Sequence, residues 1–176
     1  PNQLDFGFFV NESTPTLVAS LKSDGRFSTQ GDITSAGRIF NAVYNDYAEF
    51  FEKKLHATVM PGDVIGKLKG ENLYTRYDRR TCSMPVGIYS DNFGHVIGGN
   101  EDNIEDNLTN FIPVALAGRV RVKCTEPVEE GQFMIASADP GHAKGTWDKS
   151  EYHKLGVALE STEDAEVPGQ ILVLVR

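Results

Sequence analysis

The 176-residue chain sets 17 Lys and Arg against 25 Asp and Glu, a formal charge of −8 at neutral pH, and is 40% hydrophobic. That balance argues against a basic surface for duplex nucleic acid, and no run of about 18 apolar residues is present to span a bilayer as a helix. The length accommodates one well-buried core plus an appendage, while Cys82 and Cys124 are too few for a disulfide framework and are read as free, buried thiols. The chain opens on Pro1 without the basic-then-apolar pattern of a signal peptide, which predicts a piece of a longer polypeptide.

Along the first forty residues runs a six-residue beat: Leu21-Lys-Ser-Asp-Gly-Arg, Phe27-Ser-Thr-Gln-Gly-Asp, Ile33-Thr-Ser-Ala-Gly-Arg. An apolar residue opens each unit and Gly25, Gly31 and Gly37 stand fifth. One apolar residue in six makes a thread rather than a face, so such units need neighbours to bury what they carry. Three chains wound together would stack Leu21, Phe27, Ile33 and Ile39 along a shared axis, each Gly allowing a turn or close approach. The alternative is a run of β-turns in a surface meander. Residues 1–40, sparse in apolar positions, are read as the end of a trimeric β-stalk, and residues 41–176 as a globular head.

Where stalk meets head stands Val43-Tyr-Asn-Asp-Tyr-Ala-Glu-Phe-Phe-Glu52. Asp46 and Glu49 are three apart, so on a helix they share a face and can hold different protonation states, as an acid and base pair must; on a strand they point oppositely. The aromatics favour extended structure, yet Tyr44, Tyr47, Ala48, Phe51 and Leu55 also fit a helical stripe. A structural alternative has Asp46 capping a short helix with Glu49 completing a capping box.

The head repeats two phrases. Met60-Pro-Gly-Asp, Glu129-Glu-Gly-Gln and Val167-Pro-Gly-Gln each precede a strand-like run, with a Gly suited to positive φ at the turn. Pro85-Val-Gly-Ile-Tyr, Val114-Ala-Leu-Ala-Gly-Arg-Val-Arg-Val and Lys154-Leu-Gly-Val-Ala-Leu-Glu read as strands interrupted by a Gly, which suits a bulge or barrel corner. The expectation is a mainly β protein whose head is a small antiparallel barrel or sandwich. Between these phrases, Gly98-Gly-Asn-Glu-Asp-Asn-Ile-Glu-Asp-Asn107 reads as a solvated acidic loop rather than a calcium loop. His56, His95, His142 and His153 are scattered singly, so neither a metal nor any other cofactor is expected. Tyr74, Tyr77, Trp147 and Tyr152 lie in polar stretches where rings can stack on a sugar or a host protein, or else fill a loop base or a trimer interface.

Residues 31 to 176, from Gly-Asp-Ile-Thr-Ser-Ala-Gly-Arg-Ile through Asn45-Asp-Tyr-Ala-Glu-Phe-Phe-Glu to the strand-rich head, resemble the C-terminal domains of bacteriophage tail fibre and neck appendage proteins. More narrowly, they resemble the self-cleaving intramolecular chaperone of the peptidase G2 type. The resemblance implies a homotrimer at the end of a virion fibre, made in the host bacterium and extracellular in the mature particle. It also implies a fibre continuing ahead of residue 1, Asp46 and Glu49 as catalytic acids, and Asn45–Asp46 as the bond at risk. Family members with a hydroxyl residue before that bond can cut by an acyl shift; here Asn45 stands there, whose amide can instead close a succinimide on its own carbonyl. Glu49, with its pKa raised by burial among Tyr47, Phe50 and Phe51, is expected to supply the proton. Three roles follow: a trimerising folding domain, the same domain with autocleavage, and an uncleaved receptor-binding tip or adhesin head that meets a host glycan or protein.

Overall fold

A hairpin rather than a winding thread takes up the first hexad. In the computed structural model, which describes residues 6–10, 16–23, 25–30, 45–101, 104–162 and 169–176, β1 (Phe6–Val10), β2 (Thr16–Leu21) and β3 (Phe27–Thr29) form an antiparallel sheet in chain order. Leu21 and Phe27 lie directly opposite each other, joined by a turn in which Lys22 N–H donates to the Arg26 carbonyl (2.8 Å) and Gly25 takes φ +87°. Six residues from Leu to Phe is the length of that hairpin's register. Ile33 and Ile39 lie outside the described residues.

The period of two fixes what this small sheet shows. Ala19 and Leu21 share one face of β2, Phe8 sits opposite Ala19, and Phe27 sits opposite Leu21, while a bulge at Val18 shifts the register so that Leu17 pairs with Phe9. Phe8, Leu21 and Phe27 are therefore on one face, and each is 42–58% exposed. Ser20, on the other face, is buried. The apolar side of the sheet is the open one.

The chain divides into two compact units, Pro1–Phe40 and Asn41–Arg176. The second holds β4 (Asp46–Glu52), β5 (Val64–Leu68), β6 (Tyr74–Arg76), β7 (Cys82–Tyr89), β8 (His95–Gly98), α1 (Ile104–Asn110), β9 (Phe111–Lys123), β10 (Phe133–Ala136), β11 (Ala143–Thr146), β12 (Lys154–Ala158) and β13 (Gln170–Val175). The mainly β expectation holds, and all pairings are antiparallel except β4 with β8 and two isolated bridges. The barrel does not form. The ladder runs β11-β10-β12-β13-β9-β7-β5-β6 and does not close into a continuous barrel: the three- and four-residue strands at its ends meet Lys53 and Cys124 through single bridges alone, at Tyr74 and Ala143.

The long strand β9 explains the shape of this path. Along Phe111–Gly118 it pairs with β4; on its other edge it pairs first with β7, at Val114 and Ala115, and then with β13, from Gly118 to Lys123. The change of partner comes at Gly118, which pairs with both Asp46 and Val175; the bulge itself falls two residues earlier, at Leu116, rather than at the glycine expected to mark one. Two cores result: one around Val64, Ile88, Val122, Met134, Ile171 and Val173, the other around Ile65, Ile112 and Val114. Cys82 and Cys124 are free and buried within these layers.

The Met60-Pro-Gly-Asp phrase is a tight turn as read, with Gly62 at φ +82°. Its Asp63 does more than turn the chain: buried, it accepts from Met60 N–H (2.8 Å) and pairs with Lys123 Nζ of β9 (2.6 Å). Removing one partner of a sheltered pair strands the other. Asp63→Ala is expected to cost about 3 kcal/mol, measured by urea unfolding; a loss below about 1 kcal/mol would show that the turn holds without it.

Candidate functional site

Strand β4 settles how the acidic pair is placed. Asp46, Ala48 and Phe50 point inward and are buried, with Phe50 edge-on to Phe93 and Phe111; Tyr47, Glu49 and Phe51 take the other face. Glu49 therefore stands across the strand from Asp46, between Ile97 of β8 and Val114 of β9, and is half-exposed. The helical arrangement and its capping box do not form, because β9 and β8 claim the backbone of residues 46–52 on both edges. Burial also falls on the other acid from the one expected.

Asp46 is 1% exposed. Ser90 Oγ donates to its Oδ1 (2.9 Å), and Oδ2 meets no hydrogen-bond partner among the described residues. Burial pushes its carboxyl above the ordinary 3.8, opposed by the Ser90 hydrogen bond and reinforced by the nearby Asp91 charge. The folded chain thus holds a proton that the unfolded chain gives up, so this group favours folding at low pH and loses that contribution as pH rises from 3.8 through the raised value. Asp46→Asn keeps an acceptor for Ser90 and removes the charge. It is expected to gain about 1–3 kcal/mol at neutral pH and to flatten the decline in stability above pH 3.8. Denaturant melts across pH check it, and an unchanged slope would refute the assignment.

The peptide before Asp46 is gripped on both flanks. Arg119 N–H donates to the Asn45 carbonyl (2.7 Å) and Gly94 N–H to the Asp46 carbonyl (2.9 Å), while Asn45 Nδ2 donates to the Asn92 carbonyl (3.2 Å). Beside it opens a cavity of about 460 Å³, lined among others by Asn45, Asp46, Ser90, Asp91, Arg119 and Arg121. A buried acid with one free oxygen, a fixed carbonyl and room for a small molecule are the ingredients of general-acid attack on an amide.

The other sequence candidates are placed apart from this cluster. Tyr74 packs edge-on to Phe51, and Tyr77 lies against the larger core, so both are half-buried; Trp147 and Tyr152 are 58% and 95% exposed. The acidic stretch is not all loop: α1 begins at Ile104, and buried Asn107 accepts from the N–H groups of Asn100 (2.9 Å) and Glu101 (3.1 Å), organising the turn before it. No cluster of metal-ligating side chains occurs among the described residues. His142 Nδ1 sits 2.9 Å from the Pro140 carbonyl and His95 stacks on Tyr47, both without metal-ligand geometry. Ser90 was not found from sequence, since nothing local marks a serine 44 positions from its partner.

No protein-family model matches the chain, and no curated protein matches it. Among solved structures, it is similar to the crystal structure of the pre-mature bacteriophage phi29 gene product 12, with a TM-score of 0.54 at 17% identity. The match covers 91% of this chain and 24% of that one, so the chain spans about a quarter of the phage protein's length. At that identity the shared property is the fold. Among the described residues, no helix is long and apolar enough to cross a membrane.

Proposed function

We propose that this chain is a homotrimerising folding domain, an intramolecular chaperone, of a phage fibre or appendage protein, and that it cuts its own bond between Asn45 and Asp46. One observation carries the folding role: the small sheet turns Phe8, Leu21 and Phe27 outward on one face while its Ser20 is buried. A face of that kind is covered by another surface in the working state, and identical chains supply three such faces at once. Three separate chains face a large entropic cost in starting a shared β assembly, and a head that associates first raises their effective concentration. The fold shared with a protein described as pre-mature supports this reading, since the word implies a later, matured form.

Asp46 is the proton donor of the proposed cut, its burial favouring the protonated form. The Asn45 amide is engaged with the Asn92 carbonyl, which favours water from the adjoining cavity as the nucleophile over succinimide closure. Glu49 faces away, so a part for it in the cut requires a neighbouring copy. A mass spectrum of the purified chain tests the reading: a fragment of residues 46–176 is expected, and only intact chain after prolonged incubation would end the cleavage claim.

The exposure of Trp147 and Tyr152 favours a second reading, an uncleaved receptor-binding tip. There, Trp147→Ala with Tyr152→Ala is expected to lower host adsorption at least tenfold, about the worth of one lost aromatic contact, with stability unchanged. Adsorption at the wild-type level would remove this reading.

A further inference from the structure

We infer that Gly118 and Arg119 form the positioning element of the cut: the Arg119 backbone N–H takes up the charge that grows on the Asn45 carbonyl oxygen, and Gly118 lets it come close enough to do so. This rests on the reading of Asn45–Asp46 as a self-cleaved bond. In the step, the water oxygen bonds to the Asn45 carbonyl carbon and the C=O electron pair moves onto oxygen. The pair then returns, the carbon–nitrogen bond to Asp46 breaks, and the nitrogen takes the Asp46 carboxyl proton. The proton shed by water goes to the carboxylate, leaving a new carboxyl end at Asn45 and a new amine at Asp46. The energetic crest is the negative oxygen, so a donor already aimed there acts where it counts most.

Arg119 N–H lies 2.7 Å from that oxygen, at the short end for an N–H···O bond. An ordinary ladder bond tolerates most residues beside it; this one does not. Gly118 holds φ +110°, and a Cβ there would stand 2.5 Å from the Asn45 carbonyl oxygen and 2.7 Å from Asp46 Cα. Both are backbone atoms, which cannot swing aside as a side-chain tip does. Any side chain at 118 must therefore push the 45–46 peptide away from its donor. Gly94 N–H holds the next carbonyl, that of Asp46, and the Asn92 carbonyl holds the Asn45 side chain, so the residues on either side of the bond are tethered as well.

The test follows appearance of the 46–176 fragment by mass spectrometry in the full chain, with trimer content and near-ultraviolet dichroism recorded on the same samples. Three variants are compared: Gly118→Ala, Gly70→Ala, and a backbone ester at position 119 that replaces the N–H by oxygen. Gly70 has φ +74° with open space around it, so it controls for left-handed strain alone. The ester and Gly118→Ala are expected to slow the cut about 10²- to 10³-fold, the usual effect of losing one such donor. Gly70→Ala is expected to cut at the wild-type rate. The fall should be equal at every pH, because the donor acts on the oxyanion; loosening around Asp46 would instead move the pH profile. Where Gly118→Ala does not fold, the ester decides. A folded ester variant cutting at the wild-type rate, or with a shifted profile, overturns the inference and leaves self-cleavage standing. A wild type that never cuts removes both.

Discussion

Replacing Phe27 by Asp is expected to convert trimers to monomers while each chain keeps its fold. Phe27 is 54% exposed in the single chain and faces Leu21 on the open side of the small sheet. Such a change in a lone chain moves stability by roughly 0.5 kcal/mol or less. In a trimer the arithmetic differs, because every chain contributes the residue. Fully burying one Phe side chain contributes about 1.5–3 kcal/mol, and with roughly half of Phe27 left to bury, three contribute on the order of 2–5 kcal/mol, before the repulsion of three carboxylates brought together. At about 1.4 kcal/mol per tenfold, association should weaken by at least roughly thirtyfold. Light scattering against concentration reads the change, and a thermal melt shows that the monomer is intact. Leu21→Asp should behave alike, as its cross-strand neighbour. A wild type that scatters as a monomer across the same range would remove the folding role.

The second large effect is on the bond itself. Wild type is expected to give two bands on a denaturing gel and Asp46→Ala one, with cutting slowed at least a hundredfold, since a positioned acid contributes about 10²–10⁴. The acid works while it holds its proton, so the wild-type rate should fall as pH rises through its raised pKa. Glu49→Ala is the informative partner, because this acid stands on the opposite face of β4. The family resemblance implies one intact band here as well. If so, Glu49 serves a neighbouring copy, and mixed trimers of Asp46→Ala and Glu49→Ala chains should recover some cutting. Normal cutting by Glu49→Ala would leave Asp46 as the essential acid.

Fold class was legible because its signals are local. Glycines before apolar runs mark turns wherever they occur, and Gly62 and Gly131 both adopt the positive φ read for them. The acidic segment was not legible. Its aromatics fit a period of two and a period of 3.6 equally, and what decided was distant: β8 and β9 arriving on both edges. For the six-residue beat, units spaced for stacking along an axis are also spaced for a hairpin: Leu21 and Phe27 face each other within one chain, while Ile33 and Ile39 lie outside the described residues. Barrel closure depends on how far end strands pair, and nothing local announced that strands of three and four residues would meet a neighbour through single bridges alone. In the site, Asp46 and Asn45 stood out by resemblance, whereas Gly118 was read only as an interruption in a strand. Ser90 and the Arg119 amide were silent, because contacts between residues 44 and 74 positions apart leave no local trace.

The sharing of β9 among three ladders bears on how this protein fails. Both cores lean on that strand, so neither can persist once it frays, and the larger unit has no smaller part able to stand alone. A damaged copy should melt outright instead of lingering half-built with loose strands on offer. Such all-or-nothing collapse guards against the edge-to-edge sticking that open sheets invite.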